Sequence, residues 1–202
     1  MLKKSLFSLA LISIFGSQIF AQTLSVGPTV GLNIATIKTS PITEPLLGYN
    51  AGGFANYSIN EHFGLSAKLI YSQLGANYTE VEDIIRLHYV QVPLSAVYYF
   101  GDNGSKVRPK IFAGPYVGAL LKAKNKVGDE IQGTDKKSAY TPIDFGGQVG
   151  LGINYLVKSR TWLNVDTAFG RSFNDIFKSS INNYHNLNLS VNLGLSFPVG
   201  DN

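Results

Sequence analysis

Apolar and polar residues alternate along two long stretches near opposite ends of the chain. From Leu24 to Ala35 the even-numbered residues are apolar, and the odd-numbered residues are small or polar. From Leu187 to Val199 the odd-numbered residues are apolar, and those between them are mostly small or polar. A period of two residues is typical of a β-strand whose two faces meet different surroundings. Six further stretches alternate similarly, so the sequence predicts eight strands, over residues 24–35, 49–59, 63–71, 89–100, 110–121, 143–155, 162–170 and 187–199.

The predicted connections alternate in length. Four are long, over residues 36–48, 72–88, 122–142 and 171–186, and three are short, over residues 60–62, 101–109 and 156–161. One short connection contains Asp102-Asn103-Gly104, and Asn and Gly tolerate the positive φ of tight turns. Long loops at one end and short turns at the other are typical of an up-and-down transmembrane barrel. A G-P-x-V-G motif at residues 27–31 recurs at 114–118, which indicates a shared geometry of the first and fifth strands.

The polar face of the strands carries very little charge. Residues 22–202 contain 28 charged side chains, of which 23 are placed in predicted loops, turns or the C-terminal tail. The other five are Lys68, Lys110, Asp144 and Asp166, which lie in strands, and Arg86, which lies three residues before the predicted fourth strand. The alternative, a soluble barrel or sandwich, needs a charged exterior, whereas Gly, Ser, Asn, Thr and Gln suit a narrow lumen behind a lipid-facing surface. The predicted fold class is all-β, an eight-stranded antiparallel up-and-down transmembrane β-barrel.

Aromatic residues on the apolar face lie near the ends of the predicted strands. Aromatic girdles are expected at both interfaces of a membrane barrel, whereas those of a sandwich core would lie at mid-strand as readily. Ten residues are therefore predicted to contact lipid at the interfaces. They are Tyr57, Phe63, Tyr98, Phe100, Tyr155 and Phe197 at the short-turn end, and Tyr49, Tyr71, Phe145 and Phe169 at the long-loop end.

Composition and charge exclude several other classes of protein. The 202 residues are 45% hydrophobic and 15% charged, which argues against a disordered chain, and the lack of Cys excludes disulfides. Residues 1–21 predict a secretory signal peptide rather than an anchor helix, since two lysines precede a short apolar run and Ala21 suits cleavage. The predicted barrel domain is 22–202. Loss of the two lysines lowers the net charge from +4 to +2, so nothing supports a nucleic-acid partner.

Four segments carry a resemblance to a known family. They are H-Y-V-Q-V-P-L (88–94), I-F-A-G-P-Y-V-G (111–118), D-F-G-G-Q-V-G-L-G (144–152) and N-L-G-L-S-F-P-V (192–199). The chain resembles the eight-stranded outer-membrane β-barrel proteins of Bacteroidota, the PorT-like group, over essentially all of residues 22–200. The resemblance implies an outer-membrane location and no single activity, although some relatives take part in protein secretion.

The last strand is similar to the C-terminal signal that the barrel-assembly machinery reads. The matching residues are Asn192, Gly194, Phe197 and Val199. The strand departs from that pattern in ending with Val rather than an aromatic residue, and in the tail Gly200-Asp201-Asn202. The assembly machinery is thus an expected partner during biogenesis.

No catalytic, cofactor or metal site is predicted, so the protein is not expected to be an enzyme. His62 falls in a turn, and His88 and His185 fall near the long-loop ends of strands. In one interpretation the latter two form a metal or hydrolase site with Asp175. In the favoured interpretation they are solvated residues at the rim of the barrel. The segment G-G-Q-V-G-L-G at 146–152 lies within a strand, whereas a nucleotide-binding loop joins a strand to a helix.

Lys68 and Asp166 are predicted to meet inside the barrel. Both occupy inward positions at mid-strand, and a buried charge requires a partner. The predicted lumen network adds Asn164, Gln91 and Gln148. A structural plug is favoured over an ion gate, because an eight-stranded barrel has room for little besides its own side chains. The inward residues Tyr89, Tyr99, Phe112 and Tyr116 are expected to obstruct any pore.

The third long loop, from Lys122 to Tyr140, is rich in charge. It contains lysines at positions 122, 124, 126, 136 and 137 and acids at 129, 130 and 135. A solvated loop is the favoured interpretation, and binding of lipopolysaccharide phosphates or an envelope protein is the alternative. Besides the assembly machinery, the expected partners are thus outer-membrane lipid, lipopolysaccharide and an envelope protein.

The sequence therefore predicts a small monomeric outer-membrane barrel with a structural or interaction role in the cell envelope. A PorT-like accessory role in protein secretion or surface display is the specific form of this hypothesis. A narrow channel for ions or small solutes is the alternative, and an outer-membrane hydrolase is the weakest one.

Overall fold

The computed structural model describes residues 24–38, 43–79, 83–102, 104–131, 139–177 and 184–200. The predicted signal peptide, residues 1–21, lies outside these ranges, as do Asn103, Asp201 and Asn202. Eight strands account for most of the described chain: β1 Leu24–Lys38, β2 Thr43–Ser58, β3 Phe63–Tyr78, β4 Asp83–Tyr99, β5 Val107–Lys124, β6 Ile143–Lys158, β7 Thr161–Ser172 and β8 His185–Val199. None of the described residues form a helix of the length and hydropathy needed to cross a bilayer.

The strands form one closed antiparallel barrel, which confirms the predicted eight-stranded fold. Each strand pairs with its neighbour in sequence, and β1 pairs with β8 from Leu24–Val199 to Lys38–His185. Closure leaves no free sheet edge, so every strand has a hydrogen-bonding partner on both sides. A lipid environment demands this arrangement, because an unpaired backbone group in hydrocarbon costs several kcal/mol.

The strands extend further toward the long-loop end than the alternation pattern predicts. The connections there are residues 39–42, 79–82, 125–142 and 173–184, instead of the predicted 36–48, 72–88, 122–142 and 171–186. The first two loops are therefore short. The short-turn end agrees more closely with prediction, with connections over residues 59–62, 100–106 and 159–160.

A reversal of face polarity explains this difference. Along most of β1 the outward side chains are apolar, as at Leu32 and Ile34, and inward Asn33 is polar. At the long-loop end of the same strand, Ile37 is buried inside and Lys38 is exposed. The same reversal occurs in β3, β4 and β5, where Leu74, Ala76, Leu87 and Ala123 are buried inside and Gln73, Asn77, Arg86, Lys122 and Lys124 occupy outward positions. The strands thus continue past the lipid-facing belt as a water-facing barrel.

Glycine permits a close approach of strands at the two copies of the G-P-x-V-G motif. A Cβ atom at Gly27 would overlap the carbonyl oxygen of Leu195 on β8. A Cβ atom at Gly114 would overlap the carbonyl oxygen of Leu94 on β4 in the same way. The first glycine of each motif therefore lies against the backbone of the preceding strand in the barrel, and at Gly27 this contact crosses the closing seam.

We predict that Gly27→Val impairs closure of the barrel, because the new side chain would overlap backbone rather than a movable side chain. The expected result is a clear loss of the folded, faster-migrating band when unheated samples refolded in detergent are run on a gel. Gly53→Ala is the control, since a Cβ atom there would lie 3.6 Å from its nearest neighbour, the carbonyl oxygen of Gly27. Equal folded fractions for Gly27→Val and the wild type would contradict the role of this contact.

Candidate functional site: a filled and capped lumen

Two lysines and one aspartate form an ion cluster (Lys68, Lys110 and Asp166) inside the barrel. Lys68 Nζ lies 3.1 Å from Asp166 Oδ2, and Lys110 Nζ lies 2.8 Å from Asp166 Oδ1. These residues come from β3, β5 and β7, so the cluster ties together strands that are not neighbours. Gly152 on β6 lies between Lys110 and Asp166 in the register, and its lack of a side chain leaves room for them.

The structure brings together part of the predicted lumen network. Lys68 contacts Asp166 directly, and Asn164 accepts a long hydrogen bond from Lys110 at 3.5 Å while donating to Ser196 at 3.0 Å. Gln148 makes its hydrogen bond to a residue outside this network, donating to Ser95 Oγ at 2.9 Å.

The predicted network needs two corrections, at Gln91 and at Lys110. Gln91 lines a chamber beside the cluster without a hydrogen bond to it among the described contacts. Lys110 completes the cluster although the network predicted from sequence omits it. The sequence did contain a signal for Lys110, because it has the same even-numbered spacing on its strand as the inward residues Phe112 and Tyr116.

The ion cluster occupies the lumen near aromatic residues toward the short-turn end. Lys68 Nζ lies 5.7 Å from the centre of the Phe112 ring, within the range of a cation–π interaction. Phe112 packs with Val97, Tyr99 and Ala168 in a buried cluster. Tyr99 in turn lies beneath the guanidinium of Arg108, at 5.0 Å. On β5 and β7, Phe112 and Ala168 lie two residues beyond Lys110 and Asp166 toward the long-loop end. Tyr99 lies opposite Lys110, and Arg108 lies closer to the short-turn end, so side chains fill the lumen on both sides of the ion cluster.

A small polar chamber lies beside the ion cluster. Its volume is about 40 Å³, which is enough for a few water molecules. Lys68 and Leu74 both line it, so it extends from the ion cluster toward the long-loop end. The other lining side chains are mostly polar and include Asn33, Asn50, Gln91, Gln148 and Asn192.

Apolar side chains close the lumen at its long-loop end and correct the expectation of a polar lumen throughout. This lumen cap consists of Ala35, Ile37, Leu74, Ala76, Leu87, Tyr89, Ala123, Tyr140 and Ile176, all buried. Tyr140 and Ile176 come from the last two loops, so the described parts of these loops fold back over the barrel. The ring of Phe177 packs against Tyr140 and Tyr184, with ring centres 4.5 and 4.7 Å apart. Burial of Tyr140 raises the pKa of its phenol, which keeps the group neutral beneath the loops.

The four aromatic residues expected to obstruct the pore lie inside the barrel. Tyr89 is fully buried in the lumen cap, and Tyr99, Phe112 and Tyr116 are buried further along the lumen. Tyr116 is hydrogen-bonded to Ser172 at 3.3 Å. Near the cap, Asn186 donates to Asp144 at 3.0 Å and to the Tyr89 hydroxyl at 3.4 Å.

The histidines have separate surroundings. His88 is only 6% exposed, so the interpretation of this residue as a solvated rim residue is wrong; its ring is hydrogen-bonded to the Tyr71 hydroxyl. His185 Nδ1 contacts the carbonyl oxygen of Asn174 at 3.2 Å, and Asp175 accepts hydrogen bonds from backbone amides. Across the described ranges, no three His, Asp or Glu side chains are grouped as metal ligands would be.

The ten predicted interface aromatics lie on outward positions, exposed or half-exposed. At the short-turn end Tyr98 packs edge-on against both Phe63 and Phe100, with ring centres 5.0 Å apart in each pair. At the long-loop end Phe145 meets Phe173, which the sequence prediction did not include, with ring centres 5.7 Å apart. The residues of the predicted assembly signal all lie on β8, with Asn192 and Gly194 facing inward and Phe197 and Val199 outward.

A closed eight-stranded barrel with an outward apolar belt and a packed lumen is the architecture of small outer-membrane barrels. The family model for the outer membrane protein beta-barrel domain matches residues 20–178. The chain therefore belongs to the outer membrane protein beta-barrel domain family. By the convention of such barrels, the short turns face the periplasm and the long loops face outward.

Solved structures show the same fold at low sequence identity. The crystal structure of Neisserial surface protein A (NspA) is 17% identical, with a TM-score of 0.58, and the match covers 86% of this chain and 96% of that one. Escherichia coli outer membrane protein W, solved by NMR, is 14% identical with a TM-score of 0.53, over 90% of this chain and 100% of that one. OprG from Pseudomonas aeruginosa is 11% identical with a TM-score of 0.51, over 90% and 97%. No curated protein sequence matches significantly.

We predict that Asp166→Asn strongly destabilises the barrel, because it leaves Lys68 and Lys110 buried without a counter-charge. Loss of one member of a buried ion pair typically costs about 3–5 kcal/mol. Urea unfolding in lipid vesicles, followed by the fluorescence of the single tryptophan, Trp162, measures this change.

Two further variants make the result specific. Lys68→Met should cost less than Asp166→Asn, because Lys110 and Asp166 remain paired. Asp102→Asn is the control on an exposed turn and should change stability by no more than about 0.5 kcal/mol. If Asp166→Asn were as mild as the control, the ion cluster would not be holding the lumen together.

Proposed function

We propose that this protein is a non-conducting outer-membrane scaffold that presents its long-loop end to a protein of the cell envelope. The observation that carries the proposal is the closure of the lumen along its length. The lumen cap closes the long-loop end, and nearer the short-turn end the ion cluster and the aromatic side chains around Phe112 fill the lumen beside one another. A barrel filled in this way offers a rigid surface rather than a route for solutes.

The shape of the long-loop end supports an interaction role. The strands continue past the apolar belt, and the loops after β5 and β7 fold onto the lumen cap through Tyr140 and Ile176. Val127, in the loop after β5, is 85% exposed, so its side chain is accessible to a partner at this end of the barrel. A PorT-like accessory role in protein secretion or surface display is the specific form that we propose, because some members of the family that the chain resembles take part in secretion.

One observation favours a narrow channel as the second candidate. The polar chamber contains Lys68 and several amide side chains, which could solvate an ion if the lumen cap moved. The cap is partly built from loop residues, and loops move more readily than strands. A channel of this kind would be closed in the conformation described above.

We predict that the purified wild-type protein shows no steady, large single-channel conductance in planar lipid bilayers. The expected trace is silent because the lumen cap, the ion cluster and the buried aromatic side chains fill the lumen. A variant with Tyr140→Ala and Ile176→Ala removes the loop residues from the lumen cap, and Val127→Ala is its exposed-loop control.

The outcomes separate the two candidates. Steady conductance in the wild type would contradict the scaffold, and brief openings that become frequent only in the double variant would support a gated channel. A photo-crosslinking residue at position 127 tests the interaction directly. It should trap one envelope protein in whole cells, whereas the same residue at the lipid-facing position 69 should not.

A further inference from the structure

Four basic side chains lie together on the outward face of β4 and β5, at their long-loop ends. In the sheet, Arg86 lies opposite Lys124 and His88 lies opposite Lys122. We call these four residues the basic wall patch. Lys122 and Lys124 were expected in a loop, but β5 continues through them, which fixes both on the barrel wall. Their neighbours Leu87 and Ala123 are buried inside, so the four side chains point outward.

The patch carries an excess of positive charge: Glu130 lies opposite Lys124 in an isolated β-bridge, and the other three side chains are basic as well. Arg86, Lys122 and Lys124 are all close enough to interact electrostatically with His88. Within the described part of the chain, none of the three cations Arg86, Lys122 and Lys124 forms an ion pair with a carboxylate within 4.0 Å. Like charges at opposed positions of a sheet are destabilising. Such an arrangement is stabilised when an anion binds between the charges.

His88 adds a directed hydrogen-bond donor to the patch. Its Nδ1 atom is hydrogen-bonded to the Tyr71 hydroxyl, and its Nε2 atom is buried without a partner among the described residues. When Nδ1 of the neutral imidazole accepts a hydrogen bond from the Tyr71 hydroxyl, Nε2 carries the ring proton. The buried N–H group then lacks an acceptor, and an anion oxygen would supply one.

The position of the patch indicates what carries that anion. His88 packs against Tyr71, and Tyr71 against Tyr49, with ring centres 5.8 and 5.9 Å apart. Two positions before Tyr71 on the same outward face, Leu69 is 60% exposed and belongs to the lipid-facing belt. The patch therefore lies where the outward face changes from apolar to polar, which is the level of lipid headgroups. Basic clusters at this level bind phosphorylated headgroups.

We propose that the basic wall patch binds a phosphate group of an outer-leaflet glycolipid of the lipopolysaccharide class. Arg86, Lys122 and Lys124 contact the phosphate oxygens, and His88 Nε2 donates a hydrogen bond to one of them. Hydrogen bonds between charged groups of this kind are among the stronger ones in proteins. The site lies on the outer wall, so it goes beyond the proposed scaffold function and does not depend on whether the lumen conducts.

The test measures binding of purified lipopolysaccharide to the full barrel in phosphatidylcholine nanodiscs. Lys122→Gln with Lys124→Gln should weaken binding about 30-fold, which corresponds to two basic side chains at a membrane surface. The control is Lys38→Gln with Arg171→Gln, which removes the same charge from exposed sites at the same end of β1 and β7 and should change binding less than threefold. Lys122→Arg with Lys124→Arg should restore binding to within about threefold of the wild type.

Two further arms identify the bound group. Enzymatically dephosphorylated lipopolysaccharide should bind the wild type as weakly as the intact lipid binds the Gln variant. The Gln variant should bind the intact and the dephosphorylated lipid equally weakly. Inorganic phosphate at millimolar concentration should compete poorly, because it lacks the lipid anchor. The proposal is overturned if the control pair weakens binding as much as the patch pair, or if dephosphorylation leaves the affinity of the wild type unchanged. A folded-band assay on every variant excludes misfolding as the cause.

Discussion

The need to pair every backbone amide and carbonyl in a solvent that offers no hydrogen bonds governs this protein. A sheet meets that need only when its first and last strands pair, and β1 and β8 do so along their whole length. Closure with eight strands then leaves a narrow lumen, because the diameter of a barrel follows from the number of its strands. The glycines at the seam, the small polar residues inside and the cross-barrel ion cluster are all consequences of that limited space.

The ion cluster shows how a narrow lumen can tolerate charge. One carboxylate contacts two ammonium groups at 3.1 and 2.8 Å, so the two cations share a single counter-charge and one positive charge remains. Gly152 on β6, the strand between β5 and β7, leaves space for these side chains. The remaining positive charge is held beside the ring of Phe112 and a chamber lined by amides. Such a cluster stabilises a unique arrangement of β3, β5 and β7 rather than a passage for solutes.

Period-two alternation was enough to predict the number of strands, their order and the meeting of Lys68 with Asp166. It failed where the outside of the sheet changes from lipid to water. There, inward Ile37 and Leu74 are apolar, so the pattern appeared to stop although the strands continued. Lys110 escaped the predicted network because parity places a residue on a face but does not give its height relative to residues on distant strands. The lumen cap was missed because Tyr140 and Ile176 reach the lumen only through the path of their loops.

The reversal of face polarity along β1, β3, β4 and β5 has a mechanical consequence. Sliding the barrel inward along the membrane normal would bring Lys38 and Arg86 into hydrocarbon, and sliding it outward would expose Leu32 and Leu69 to water. Either displacement becomes unfavourable after a shift of one or two residues along a strand. The polarity boundary therefore fixes the depth at which the barrel sits in the membrane. The long-loop end is therefore held at a fixed height above the bilayer, and a partner protein would meet it at that height.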